Sequence, residues 1–242
     1  MAGRSERSDR PVSAEEKKKF LAEAEAATAE ANLHKADTRE RVAEAKQAEI
    51  DLRKAERKEQ DELARDDYNY VYVFDDAVTD SSVKKCINQL NLWTRQKDKC
   101  EIEIQINSPG GAVIDGFALI DFIHDLRGKG HKIDTIALGY AASMGGVLLQ
   151  CGEKRSMGYN AFLLIHEAQF GAVGSFGKVE DQVKFAKILQ ERILDLFARR
   201  AQTVNPRTTK AFIRRKWERK DWWMNADEAL KLGFIDEVRS AQ

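Results

Sequence analysis

Glu101-Ile-Glu-Ile-Gln-Ile-Asn-Ser-Pro-Gly-Gly111 is the stretch that decides the fold class. From Glu101 to Asn107 polar and apolar residues alternate strictly, the two-residue period of a strand. Asn107-Ser-Pro-Gly-Gly111 then ends the run in a tight turn. Ala112 to Leu126 follows with helical character, and Lys132 to Leu138 is a second strand. The same grammar extends both ways. Upstream, Tyr68-Asn-Tyr-Val-Tyr-Val-Phe74 is dense in aromatic and β-branched residues and reads as a strand. Ser81 to Trp93 is helical, with Val83, Ile87, Leu90 and Trp93 near one face. Downstream, Ser143 to Gln150 begins a short helix, Ala161 to Ile165 is a strand, and Val179 to Arg200 is a long amphipathic helix. Strands alternating with helices imply an α/β domain with a largely parallel sheet. That class by itself carries no chemistry.

The segment before it has a different character. Ser13 to Asp66 is rich in Ala, Glu, Lys, Arg and Gln, all strong helix formers, and contains neither Gly nor Pro. Ser13 stands three positions before Glu16, the spacing of a capping box. Glu15–Lys19 and Glu49–Arg53 are oriented favourably at i,i+4. Phe20, Leu21, Leu33, Val42, Ile50, Leu52 and Leu63 are too sparse, and too irregular, for a heptad seam. Residues 1–66 therefore read as a charged helical or partly frayed arm, and residues 67–242 as the α/β domain. Acidic residues outnumber basic ones in the arm, which argues against nucleic-acid binding.

Charged residues make up 33% of the chain, against roughly 25% in an average globular protein. The 40 basic and 40 acidic side chains cancel, so no global field steers the chain towards nucleic acid or an anionic membrane. Cys86, Cys100 and Cys151 are odd in number and lack metal-type spacing, which fits free thiols in a reducing compartment. The N-terminus leads into charge rather than an apolar core, so no secretory signal is expected. No apolar run approaches the roughly 20 residues of a membrane span. A cytoplasmic chain is expected.

Three segments carry candidate chemistry. The glycines of Asn107-Ser-Pro-Gly-Gly111 let backbone amides approach a ligand without a Cβ in the way, where they could hold an oxyanion or an extended peptide. Gly139-Tyr-Ala-Ala-Ser-Met-Gly-Gly146 places one serine at a helix start, where free amides and the helix dipole favour developing negative charge. Ala141 occupies the first glycine position of the G-x-S-x-G elbow, so only half of that motif is present. Ser143 could equally serve as a helix cap. In Phe162-Leu-Leu-Ile-His-Glu-Ala168, His166 ends an apolar strand. A serine hydroxyl needs a neighbouring base to become a nucleophile, and a histidine needs an acid to orient it. Asp181, Asp195, Asp221, Asp227 and Asp236 are all candidate acids, and spacing does not choose among them.

In this order and spacing the segments resemble the ClpP family of self-compartmentalised serine peptidases. The likeness runs from about Tyr70 to Val238. It rests on Ile-Asn-Ser-Pro-Gly-Gly (106–111), Gly-Tyr-Ala-Ala-Ser-Met-Gly (139–145) and Ile-His-Glu (165–167). It closes with Asp221-Trp-Trp-Met-Asn-Ala-Asp-Glu-Ala229 and Gly233-Phe-Ile-Asp236. The resemblance implies the ClpP/crotonase-like fold, with repeated β-β-α units and a long handle helix, here matched by Val179–Arg200. It implies Ser143 as nucleophile, His166 as general base, Asp221 as the triad acid, and the amides of Gly111 and Met144 as the oxyanion hole. The implied reaction is hydrolysis of polypeptide substrates with no cofactor and no metal. Implied too are heptameric rings stacked face to face, with Gln169–Lys178 as the strand beside which substrate lies.

The chain departs from the family at Ala168 and Tyr159, where proline is usual. The larger departure is the arm, which replaces the axial loops and first helix that contact an AAA+ unfoldase. A chain so altered could serve a single substrate, as in ClpP-like phage head-maturation proteases, or persist as a catalytically silent ClpP-like subunit. A crotonase-like acyl-CoA enzyme shares the fold but uses no serine–histidine pair. A Ser–Lys peptidase would need neither His166 nor, in its signal-peptide form, a soluble chain.

Overall fold

The computed structural model describes residues 13–239. The chain divides between Leu63 and Ala64 into two units. The first contains helix α1, Ala14–Leu63, 50 residues long and so about 75 Å in length at 1.5 Å per residue. Its N-terminus is closed by the Ser13/Glu16 capping box. The Ser13 amide donates to Glu16 Oε2 at 2.9 Å, and the Glu16 amide donates to Ser13 Oγ at 3.2 Å. No residue of α1 is buried. Helix propensity and spaced pairs such as Arg53–Glu49, at 2.7 Å, hold it together.

The second unit is an α/β body. Its elements are β1 (Val71–Phe74), α2 (Asp80–Gln96), β2 (Glu101–Ser108), α3 (Val113–Gly128), β3 (Lys132–Ala142), α4 (Met144–Leu149) and β4 (Arg155–Gly158). They continue with β5 (Phe162–Ile165), α5 (Phe176–Gln202), α6 (Lys210–Trp217), β6 (Trp222–Asn225), α7 (Ala226–Leu232) and β7 (Glu237–Arg239). The sheet runs β1-β2-β3-β4-β7, all parallel, with β5 on β3 and β6 on β5. In β2 the alternation seen in the sequence becomes burial, Ile102, Ile104, Ile106 and Ser108 all facing inwards. The first strand starts later than the sequence suggests. Tyr70 adopts φ 56°, and the Val71 amide is spent on Asp66 O at 2.8 Å, so Tyr68–Tyr70 turn rather than extend.

Strand β3 positions the site by forking. Thr135–Ala137 pair with β4, whereas Tyr140–Ala142 pair with β5. Between the two halves Gly139 takes φ 88°, and a Cβ there would lie 2.7 Å from Asn107 Oδ1. The β2–β3 register shifts at the same place, between Ile106 and Ser108. Beyond the shift Ala141 pairs with Ser108 of β2 on one side and Leu163 of β5 on the other, so the end of β3 joins the end of β2 to the antiparallel β5–β6 pair.

Two buried devices fix the C-terminal elements. Edge-to-face rings run from Phe197 of α5 through Phe234 and Trp222 to Phe212 of α6, with centroids 5.7–6.0 Å apart. Arg155, fully buried, binds Asp236 through Nε at 3.0 Å and Nη2 at 2.6 Å. Its Nη1 donates to Gln150 Oε1 and to the Gly233 carbonyl. Strands β4, β6 and β7 are only three or four residues long, too short to show a period.

Candidate active site

The cavity at the end of β3 has a volume of ≈ 290 Å³ and brings the three candidate segments together: Gly110 and Gly111, Ser143 and Met144, and His166 all line it. Each wall has a local cause. Ser108, buried at the end of β2, donates its hydroxyl to the Asp76 carbonyl at 2.7 Å and accepts the Gly110 amide at 3.2 Å. The turn is therefore stapled from within by a serine that the sequence left without a role. Gly110 at φ 88° lies hard against the neighbouring turn. A Cβ on it would be 2.6 Å from the Ala142 carbonyl oxygen and 2.7 Å from both the Met144 nitrogen and Ser143 Cβ. No side chain fits there.

Gly111 bridges to Val78. The Val78 amide donates to Gly110 O and the Ala112 amide donates to Val78 O, both at 2.8 Å. In a parallel bridge of this kind the central residue's own amide faces the other way. The Gly111 N–H therefore points away from Val78, and Gly111 lines the cavity.

Ser143 sits between β3 and α4 with φ 53° and ψ −120°. Such a conformation is strained for a residue with a Cβ and costs of order 1–3 kcal/mol. It is held by the Ser143 amide donating to Leu164 O of β5 at 3.0 Å, and by the Val147 amide donating to Ser143 O at 3.2 Å. The capping alternative is settled by geometry. Ser143 occupies the cap position of α4 but makes no side-chain cap hydrogen bond. A normal cap has β-region dihedrals and spends its oxygen on the helix amides; Ser143 does neither. The chain thus makes a sharp strand-to-helix turn with positive φ although Ala141 replaces the first glycine, and Ala141 is itself fully buried in the core.

His166 follows β5 with 16% of its side chain exposed. Its Nδ1 lies 3.4 Å from Asp221 Oδ1, just before β6. The last rungs of the β5–β6 ladder are Leu164 opposite Trp223 and Ile165 opposite Trp222. The next pair outwards is His166 and Asp221, so antiparallel register aligns them. Nδ1 is thus turned to the carboxylate, while His166 also lines the cavity.

The other four candidate acids are elsewhere. Asp181 is beside Lys184 at 3.7 Å, Asp195 is paired with Lys210 at 2.7 Å, Asp227 lies in the first turn of α7, and Asp236 is taken by Arg155. Most of the remaining cavity wall is apolar, with Val113, Val147, Leu164, Ile193 and Phe197, and Gln169 adds a polar residue to it. Ala168, where the resemblance leads one to expect proline, also lines it.

Comparison with known proteins gives a consistent answer. The family model described as Clp protease matches residues 57–242. The chain is 33% identical over 169 residues to the ATP-dependent Clp protease proteolytic subunit 2 of Tropheryma whipplei, covering 68% of this chain and 88% of that protein. It is 34% identical over 163 residues to the ATP-dependent Clp protease proteolytic subunit of Streptococcus mutans, covering 66% of this chain and 80% of that protein. The corresponding subunit of Deinococcus radiodurans is 33% identical over 154 residues, with 63% and 71% covered. An α/β body with this sheet, and a family match over most of its length, lead to one conclusion: the chain belongs to the Clp protease family of serine endopeptidases.

Proposed function

We propose that the chain hydrolyses polypeptides through Ser143, His166 and Asp221. The observation that carries the reading is Ser143 itself: its hydroxyl is not spent on α4, and its strained backbone faces a cavity shared with His166. Ser143 Oγ attacks the peptide carbonyl while His166 takes its proton, and Asp221 orients and stabilises the imidazolium. The carbonyl oxygen, negative in the tetrahedral intermediate, is received by the amides of Gly111 and Met144. His166 then protonates the leaving amine, and water releases the acyl group by the reverse route. The apolar wall of Val113, Val147, Leu164, Ile193 and Phe197 suits a large apolar side chain next to the scissile bond.

Assembly belongs to the same reading. The buried residues of α5, Ile193, Leu194, Phe197, Ala198 and Ala201, all lie in its C-terminal half. The N-terminal half leaves Phe176, Phe185 and Ile188 more than half exposed. Apolar side chains presented this way favour association, and support α5 as the handle of a ring-forming homo-oligomer. Residues 67–242 are then the peptidase domain and residues 1–66 a charged appendage. The relatives' names mark them as proteolytic subunits of ATP-dependent enzymes; here the arm stands in place of the elements that contact an AAA+ unfoldase, which argues against such a partner.

The test is labelling with a fluorophosphonate, together with cleavage of a blocked peptide bearing an apolar residue before a fluorogenic amide. The expected result is one label at Ser143, lost with activity in Ser143→Ala, on particles far heavier than 27.4 kDa. An unlabelled Ser143 in particles of the expected size would establish the catalytically silent alternative instead.

A further inference from the structure

The acid of the proposed triad stands beyond the end of the β-ladder that aligns it. Ile165–Trp222 is the last paired rung, and Asp221 is largely exposed, with 60% of its side chain accessible. Something else must hold the chain before it. The segment between α6 and β6 is a tight turn. The Lys220 amide donates to Trp217 O at 3.1 Å, Glu218 has φ −54° and ψ 116°, and Arg219 has φ 56°. These are the marks of a type II turn, in which the third residue needs positive φ and is ordinarily glycine. Here it is an arginine.

Type I and type II turns differ in the direction of the central peptide, here the one joining Glu218 to Arg219. Its N–H is captured from across the site, since the Arg219 amide donates to Glu167 Oε2 at 3.2 Å. Glu167 is the residue directly after His166. A type I turn would reverse that peptide and lose the bond. Its loss would also leave Arg219 free to relax from positive φ, and with it the turn that leads into Asp221.

We propose that Glu167 is a positioning residue. Its carboxylate selects the type II form of the Trp217–Lys220 turn and so holds Asp221 opposite His166 where the β5–β6 pairing has already stopped. This inference rests on the triad reading above. It assigns a task to a side chain that touches neither substrate nor reacting atoms, and it accounts for a non-glycine residue at a glycine position. The clasp joins the base and acid segments to each other rather than to the scaffold, so they move together.

The experiment measures kcat and KM of the full chain on the same fluorogenic peptide for Glu167→Ala, Glu167→Gln, Arg219→Gly, Glu167→Ala/Arg219→Gly and Asp221→Asn. Particle size is checked for each. Misplacing the acid lowers kcat on the order of tenfold to a hundredfold with KM unchanged, and this is expected for Glu167→Ala. Glu167→Gln keeps an acceptor oxygen and is expected to retain most activity, which separates the clasp from a charge effect on His166. Glycine holds positive φ unaided, so Arg219→Gly is expected to restore much of the kcat lost in Glu167→Ala.

A Glu167→Ala enzyme with normal kcat, a Glu167→Gln enzyme as slow as Glu167→Ala, or no rescue by Arg219→Gly each overturns the inference. Asp221→Asn separates the two levels. If it is slow while Glu167→Ala is normal, only the clasp falls; if it turns over normally, the triad reading falls and the clasp with it.

Discussion

Replacing Asp236 by asparagine tests whether a buried ion pair far from the nucleophile holds up the site. The Arg155 side chain has no exposed surface, and Asp236 accepts from its Nε, its Nη2 and its backbone amide, at 2.6–3.0 Å. Asparagine keeps the shape and one acceptor oxygen but removes the charge and sets an NH2 donor against the Arg155 donors, leaving a guanidinium in the core without its counter-ion. Removing one partner of a buried pair costs about 3–5 kcal/mol, and the partial exposure of Asp236 places the expectation at the lower end. For a body of this size about 3 kcal/mol corresponds to a fall in Tm of roughly 6–12 °C. The assay is thermal denaturation at fixed protein concentration, since assembly makes Tm concentration-dependent.

The pH dependence sharpens this test. Burial alone would raise the Asp236 carboxyl, but hydrogen bonds from the Arg155 side chain and amide, with the positive charges of Arg155 and Arg200, hold it below the usual carboxylate range. A depressed folded pKa contributes stability above the unfolded value of about 3.9, and loses it as pH falls through the folded value. The gap between wild type and Asp236→Asn should therefore be full at pH 7 and should close under acid. Equal Tm values at pH 7, or a gap that widens as pH falls, would refute the reasoning. Gln150 ends α4, the helix that starts at Ser143, so a slower enzyme should accompany the lower Tm.

Three further outcomes are expected. Gly110→Ala would drive a methyl into the Ala142 carbonyl and the Met144 amide, so kcat should fall by on the order of a hundredfold while circular dichroism stays unchanged. Asp221→Asn should lower turnover by about 10²–10⁴-fold, because an amide can hold the wrong imidazole tautomer; a steady-state assay on the fluorogenic peptide decides it. The three cysteines are all buried, and burial raises each thiol, Cys151 to about 12 and Cys86 further. A disulfide-exchange reagent at pH 8 should therefore label none of them until denaturant is added.

The segments of the candidate site were largely legible along the chain because they are marked by residue types in order. The alternation of Glu101–Asn107, the glycine turn at 107–111, Ser143 at a helix start and His166 at a strand end are all local patterns. Local physics likewise accounts for α1, whose Ala, Glu, Lys and Arg content and Ser13/Glu16 box need no tertiary partner. The short strands β4, β6 and β7 were not legible. They exist through pairing with segments distant in the chain, such as Ser156 of β4 opposite Glu237 of β7.

What the sequence by itself determined, then, is an α/β body with a serine at the start of one helix and a histidine at the end of one strand, and a set of five aspartates. Spacing left the five open and the family resemblance pointed to Asp221; it is brought to His166 by the antiparallel register between β5 and β6, a through-space quantity that spacing does not encode. Only tertiary structure decided that Ser143 is no helix cap. The positive φ of that residue is imposed by Gly110 packing against it and by the hydrogen bond its amide donates to the Leu164 carbonyl, contacts 33 and 21 residues away in the chain.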